Sequence, residues 1–295
     1  MCLRGAARQP NIAAMAYAFR LVNVFTVDGD RLSGNPLCVF EDARGLSDAQ
    51  MQGLARQMNL SETTFVLPAE RAGAHARVRI FTPGYEMPFA GHPTLGTASV
   101  VGEDRDQVTL EMLAGLVPVS RDGASWTLRA ARPPETRKVS ASPAELASML
   151  GLPEDAVTGE PLWVTTGVEQ LVIPVGSAAH VRAARPVPSL LERWAYSAAR
   201  KEAMAYVWAE DSAEWAVRFF FTANGAVLED PATGSACANL GGWWTATGRP
   251  LPMSATLRQG DAIGRPSRLG LRVDADRGIH VSGAVIELGR GKIDL

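Results

Sequence analysis

The chain has 295 residues, 46% of them apolar and 20% charged, with a formal net charge of -2. That length suits two lobes better than one minimal core, and the composition is that of a folded globular protein, not a disordered or fibrous one. Lys and Arg are scattered singly and no run approaches the roughly eighteen apolar residues of a membrane helix, so no nucleic-acid partner and no membrane span are expected.

Residues 1–16 read as an N-terminal extension. Arg4 and Arg8 lie there without an acid, but Pro10 and Asn11 interrupt any apolar h-region. A secretory signal is therefore not expected, a short organellar transit peptide stays open as the alternative, and Met15 is a candidate start of translation. Cys2, Cys38 and Cys237 are an odd set without Cys-x-x-Cys spacing. This argues against a disulfide scaffold or a structural zinc site, and for a reducing, cytoplasmic setting.

Alternation predicts strands over 19–27 and 37–40. Ser47 and Gln50 have capping-box spacing, with Leu46 and Met51 at the staple positions, so a helix is expected over about 48–58. The β-branched and aromatic run Thr63-Thr64-Phe65-Val66 follows as a strand. Segments 117–120 and 126–129 flank Asp122-Gly123, which predicts a tight hairpin turn. Arg132-Pro133-Pro134 reads as a linker. Ser142-Pro143 with Glu145 opens a helix that Gly151 and Pro153 close. A helix near 189–200 and strands over 204–208, 215–222, 271–274, 279–282 and 284–288 complete the pattern, with a turn at 276–278.

One internal echo stands out. Val78-Arg79-Ile80-Phe81 leads to Gly91-His92, and Val217-Arg218-Phe219-Phe220 leads to Gly234-Ser235, each glycine opening a predicted helix (92–101 and 235–247). A helix N-terminus presents unpaired N–H groups and a positive dipole end, and glycine permits close approach, so two such ends facing one cleft would hold a carboxylate. Glu62, among Ser61, Thr63 and Thr64 at the start of an apolar strand, can be desolvated towards a pKa useful for proton transfer. Taken singly, Glu62 reads as a solvated strand-start residue, Asp230 as turn chemistry, His92 as structural and Ser235 as a cap.

Together these motifs resemble the PhzF-like family of the diaminopimelate-epimerase superfamily. The resemblance rests on Val24-Phe25-Thr26-Val27-Asp28, Ser33-Gly34-Asn35-Pro36, Asn59-Leu60-Ser61-Glu62-Thr63-Thr64-Phe65, Arg79-Ile80-Phe81-Thr82-Pro83 with Pro88-Phe89-Ala90-Gly91-His92-Pro93, Glu229-Asp230-Pro231-Ala232-Thr233-Gly234-Ser235-Ala236, and Gln259-Gly260-Asp261, in family order from about residue 17 to the end. It implies an α+β, diaminopimelate-epimerase-like fold of two pseudo-symmetric lobes. Each lobe would be a β-barrel-like sheet around a central helix, with the active site in the cleft between them. The lobes would be 17–131 with about 280–295, and 132–279, the last strand returning to the first.

The resemblance also implies a cofactor-independent isomerase acting on a small carboxylate-bearing molecule, with a homodimer plausible. Glu62 would be the acid/base, His92 and Asp230 would assist, and Gly91, Gly234 and Ser235 would bind substrate. One departure bears on mechanism. The superfamily's racemases carry a cysteine before each glycine, whereas Ala90 and Thr233 stand here, so a two-thiol racemase is disfavoured. An amino-acid epimerase, a noncatalytic binding protein retaining the fold, and a hydrolase built on Ser235, His92 and Asp230 are the rival readings. The last lacks the Gly-x-Ser-x-Gly elbow. No Gly-x-Gly-x-x-Gly after a strand and no Schiff-base lysine context is found, so no nicotinamide, pyridoxal or metal cofactor is expected.

Overall fold

A computed structural model describes residues 15–295 except Ala131 and Asn224. Cys2, Arg4, Arg8, Pro10 and Asn11 lie outside the described residues. The first half comprises β1 (Ala16–Val24), β2 (Asn35–Phe40), α1 (Asp48–Met58), β3 (Thr63–Leu67), β4 (Ala76–Phe81), β5 (Glu86–Met87), α2 (Gly91–Val101), β6 (Gln107–Met112), β7 (Gly115–Asp122) and β8 (Ser125–Arg129). Then come β9 (Glu135–Lys138), α3 (Pro143–Met149), β10 (Leu162–Thr165), β11 (Glu169–Pro174), α4 (Ala178–Ala183), α5 (Pro188–Trp194), β12 (Tyr196–Ser197), β13 (Glu202–Ala209), β14 (Trp215–Ala223), β15 (Ala226–Asp230), α6 (Gly234–Ala246), β16 (Met253–Gln259), β17 (Ser267–Val273) and β18 (Ile279–Asp294).

The strand pairings close a ring. β1 pairs with β2, β2 with β3, β3 with β4, β4 with β6, β6 with β7, β7 with β8, β8 with β18, and β18 with β1, an eight-stranded barrel. The second half repeats the order: β10–β11 antiparallel, β11–β13 parallel, β13–β14 antiparallel, β14–β16 parallel, then β16–β17 and β17–β18 antiparallel. β9 borders β10, much as the outer half of β18 borders β1. The mixed α+β fold, a closed eight-stranded barrel joined to a barrel-like sheet that repeats its strand order, is therefore as the sequence resemblance implies.

α2 and α6 are the central helices, apolar on almost every side and buried through most of their length. Small residues let them fit inside barrels, whose interiors hold little beyond side chains. A Cβ at Gly96 would lie 2.6 Å from Leu37 Cδ2, and one at Gly241 would lie 2.9 Å from Ile279 Cγ2. The other helices cover the outside. α1 buries Met51, Leu54 and Ala55 against a cluster with Phe40, Phe65 and Phe81, where Phe40 and Phe65 stack 4.9 Å apart.

Both predicted capping boxes form, at Ser47/Gln50 and Ser142/Glu145. Four expectations need adjustment. β1 ends at Val24 instead of 27, because Phe25 turns the chain with φ 65°. The hairpin of β7 and β8 turns at Gly123 and Ala124, since Asp122 pairs with Ser125, and of the Asp-Gly pair only Gly123 (φ 58°) has a positive φ. The helix expected over 189–200 stops at Trp194, and the chain continues into β12 and a tight turn. The strands expected over 279–282 and 284–288 are one, β18, which runs on to Asp294.

Candidate active site

The N-termini of α2 and α6 meet. Ala90 and Thr233 are their N-caps, both in extended conformation, and neither supplies a side-chain cap to the first-turn N–H groups. A methyl at Gly91 would stand 3.3 Å from Gly234 Cα and from Ser235 N, and one at Gly234 would stand 3.4 Å from Gly91 Cα. Glycine at both places is what allows two positive dipole ends so close together. They repel each other, so an anion beside both is favoured.

α1 delivers Glu62 to this place. The helix is capped at Asn59, whose left-handed φ of 51° turns the chain, and four residues later, just past Glu62, the chain enters β3. Glu62 Oε2 then lies 3.4 Å from His92 Nδ1 on the first turn of α2, with side-chain exposures of 15% and 5%. The contact is too poorly aligned to be a hydrogen bond, and both Glu62 Oε2 and His92 Nε2 are buried without a partner. Burial first, then the charges of Asp230 and Glu202, push the Glu62 carboxyl up to about 8. Burial pushes the His92 imidazole down to about 3, opposed in part by the Pro36 carbonyl. At neutral pH the pair is a carboxylic acid beside a neutral imidazole.

Asp230 ends β15 rather than lying in the turn that follows. Its Oδ1 accepts from Asn35 Nδ2 at 3.0 Å and its Oδ2 from Thr233 Oγ1 at 2.5 Å. Gln259 Nε2 ties the segment down through the Asp230 carbonyl at 2.9 Å and Thr233 Oγ1 at 3.0 Å. Burial raises the Asp230 carboxyl to about 6, and the Thr233 and Asn35 hydrogen bonds oppose the rise. Ser235 is no cap: its Oγ accepts from Gln170 Nε2 at 2.9 Å, and Asn239 Nδ2 fixes Gln170 Oε1 at 2.8 Å. The hydroxyl is thus engaged with an amide and not with His92, which removes the geometry a serine hydrolase requires.

The structure therefore brings Gly91, His92, Gly234 and Ser235 together, sets Glu62 against His92, and holds Asp230 where its charge reaches Glu62. The supporting amides Asn35 and Gln259 lie within motifs of the sequence but carried no role there. Gln170, Glu202, Tyr85 and Arg200 had no sequence signal at all. Among the described residues no group of three or more His, Cys, Asp or Glu side chains could hold a metal. Cys38 and Cys237 are buried, and burial raises both thiols well above their ordinary range, so neither is available as a thiolate base. Two cavities of about 360 and 330 Å³ lie elsewhere, beside Arg218 and Arg79 respectively, and include none of these residues.

Paired barrels with facing helix ends and a buried acid at the junction define a class, the two-lobed isomerases with the diaminopimelate-epimerase-like fold. Within that class the match is specific. The sequence profile of the phenazine biosynthesis-like protein family, PhzC-PhzF, covers residues 22–289. An uncharacterised isomerase of Pasteurella multocida is 39% identical over 280 residues, 94% of each chain. The trans-2,3-dihydro-3-hydroxyanthranilate isomerase of Pseudomonas aeruginosa is 37% identical over 267 residues, 86% of this chain and 90% of the other. A phenazine biosynthesis protein of the PhzF family from Bacillus anthracis superposes with a TM-score of 0.81 at 23% identity, covering 95% and 99% of the two chains, a likeness of fold. The chain belongs to the PhzC-PhzF family, and it is an enzyme, a PhzF-like isomerase.

Proposed function

We propose that the enzyme moves a proton between two carbons of a small, conjugated, carboxylate-bearing molecule, without a cofactor and with Glu62 as the single acid/base. The observation that carries this is the Glu62 carboxyl, its Oε2 buried and unpartnered, 3.4 Å from a neutral imidazole at the junction of two uncapped helix N-termini. In this reading the substrate carboxylate rests at the N–H groups of Gly91–His92 and Gly234–Ser235, which also stabilise the negative charge that develops when carbon loses its proton. Ionised Glu62 takes the proton from one carbon and returns it to another, the electron pair shifting through the conjugated system. His92 and Asp230 orient the substrate, and Asn35, Thr233 and Gln259 keep Asp230 in place.

A single base favours a shift on one face over inversion at one carbon, which needs a second acid opposite. Ala90 and Thr233 supply none, and this weighs against the epimerase alternative. The Pseudomonas relative's named substrate, a dihydro-hydroxyanthranilate, has the class of structure this mechanism requires. Residues 17–131 with about 280–295 serve as the first lobe and 132–279 as the second, in a cytoplasmic homodimer.

The test is deuterium incorporation at carbon in deuterated water, followed by NMR over small unsaturated amino and hydroxy acids. Incorporation is expected for wild type and absent for Glu62→Gln. Incorporation that survives the substitution would sink the mechanism, and its absence for wild type with every compound would favour a binding protein.

A further inference from the structure

One cation at the rim has no place in that mechanism. Arg200 lies in the turn between β12 and β13, on the second barrel, and its Nη2 donates to the Tyr85 hydroxyl at 3.1 Å. Tyr85 stands on the turn between β4 and β5, on the first barrel. The hydrogen bond therefore passes from one barrel to the other.

Both turns are held in shape. Lys201, with φ 56°, donates its N–H to the Ser197 carbonyl at 2.7 Å. The buried Ser197 hydroxyl donates to Glu169 at 2.6 Å and accepts from the Arg200 N–H at 3.3 Å. Opposite, Thr82 Oγ1 accepts from the N–H groups of Gly84 and Tyr85 at 3.1 and 3.0 Å, and Gln52 donates to the Thr82 carbonyl at 2.9 Å. Side chains on such turns are positioned before any ligand arrives, so less ordering cost falls on binding.

The guanidinium is under-used. Among the described residues no carboxylate lies within 4.0 Å of it, and its Nε is buried with no hydrogen-bond partner. Five N–H donors in a planar fork suit a carboxylate, and only the one on Tyr85 is engaged by a side chain. The Tyr85 hydroxyl accepts that bond, which leaves its own proton to donate. Tyr85 feels the charges of Arg200, Glu202 and Glu62, while Glu62 feels Asp230 and Glu202. Tyr85 is thus close enough to Glu62 to feel its charge, and Arg200 is hydrogen-bonded to Tyr85. Donors on the Glu62 side of the site can meet a second polar group of a molecule whose carboxylate rests at the helix termini.

We propose that Arg200 and Tyr85 form a recognition pair for a second acceptor group, a carboxylate or carbonyl, on a substrate whose first carboxylate rests at the two helix N-termini. This rests on the placement of that first carboxylate in the proton-transfer reading.

Calorimetric titration of benzoate, benzene-1,3-dicarboxylate and benzene-1,4-dicarboxylate into wild type, Arg200→Met and Tyr85→Phe tests it. At least one dicarboxylate should bind wild type about ten-fold or more tighter than benzoate, the lower end for a hydrogen bond to a charged group. Arg200→Met should abolish that preference while changing benzoate affinity less than about two-fold, and Tyr85→Phe should reduce it in part. Two results overturn the proposal: no dicarboxylate preference in wild type, or an Arg200→Met protein that loses affinity for all three acids alike, which would mark Arg200 as a brace between barrels. Deuterium exchange retained by Glu62→Gln would instead sink the proton-transfer reading, since the preference is measured without turnover.

Discussion

Replacing Glu62 with Gln should flatten the dependence of stability on pH between 6.5 and 8. The folded protein lifts the Glu62 carboxyl from 4.5 to about 8. It therefore keeps a proton that the unfolded chain has released, and stability falls as pH climbs from 4.5 towards 8. His92 has the opposite sign. Its folded value of about 3, against 6.5, means the unfolded chain holds the extra proton, so stability rises with pH from 3 to 6.5. Asp230, raised from 3.8 to about 6, adds a loss that is complete by pH 6. Above 6.5 the Glu62 slope stands alone. One proton corresponds to about 1.4 kcal/mol per pH unit, so wild type should lose about 2 kcal/mol across the window. Urea denaturation of both proteins at half-unit steps measures it. Wild type should decline and Glu62→Gln should stay level. Parallel curves, whether both falling or both flat, would refute the claim that burial holds a proton on Glu62.

Catalysis should follow the same group with the opposite benefit. If ionised Glu62 is the base, kcat/KM should rise about ten-fold per pH unit up to about pH 8 and level off above it, and a profile flat from 6 to 9 would contradict the assignment. Arg218 and Glu229 form a bidentate pair with side chains only 9% and 7% exposed, so Arg218→Met should cost about 3–5 kcal/mol in denaturation by stranding a buried carboxylate. The equivalent pair in the first half, Arg79 and Glu86, is more exposed at 18% and 24%, and Arg79→Met should cost clearly less. Equal losses would mean that burial does not set the difference. Gly96→Ala would place a methyl 2.6 Å from Leu37 Cδ2 and 2.9 Å from Val24 Cγ2, and should lower stability by about 1–3 kcal/mol through overpacking, read as a fall in Tm.

What could be read from the sequence was what local chemistry decides. The two capping boxes start α1 and α3 through bonds spanning three residues, and no distant partner is needed. The doubled Val-Arg and glycine pattern carried the pseudo-symmetry, because β4 and β14 hold the same ring position in their barrels. Elements fixed by distant partners escaped. β9 is exposed along its whole length and is a strand only because β10 lies beside it. Gly283 falls between the two strands expected over 279–282 and 284–288, yet in β18 it and Gly291 make room for rings. A Cβ at Gly283 would lie 2.2 Å from Phe25, and one at Gly291 would lie 2.7 Å from Phe19. Within the candidate site, Glu62 and His92 were singled out by chemistry and resemblance, but nothing in their spacing told that they touch. Tyr85 and Arg200 meet across the two halves, and Gln170 reaches Ser235 over 65 residues of chain, where spacing carries no signal.

β18 has a consequence for how the chain comes to be folded. The strand that closes the first barrel follows all the other described strands along the chain, with Ala16 paired to Asp294 and Tyr17 to Ile293. On the ribosome the N-terminal half can form its hairpins and its inner helix, but the seam between β1 and β8 stays open until β18 emerges. Folding one lobe at a time is thereby ruled out for the finished architecture, and the slow, long-range closure waits for β18. A ribosome-stalled chain lacking β18 would present three unpaired strand edges at once, on β1, β8 and β17, each open to pairing with a neighbour.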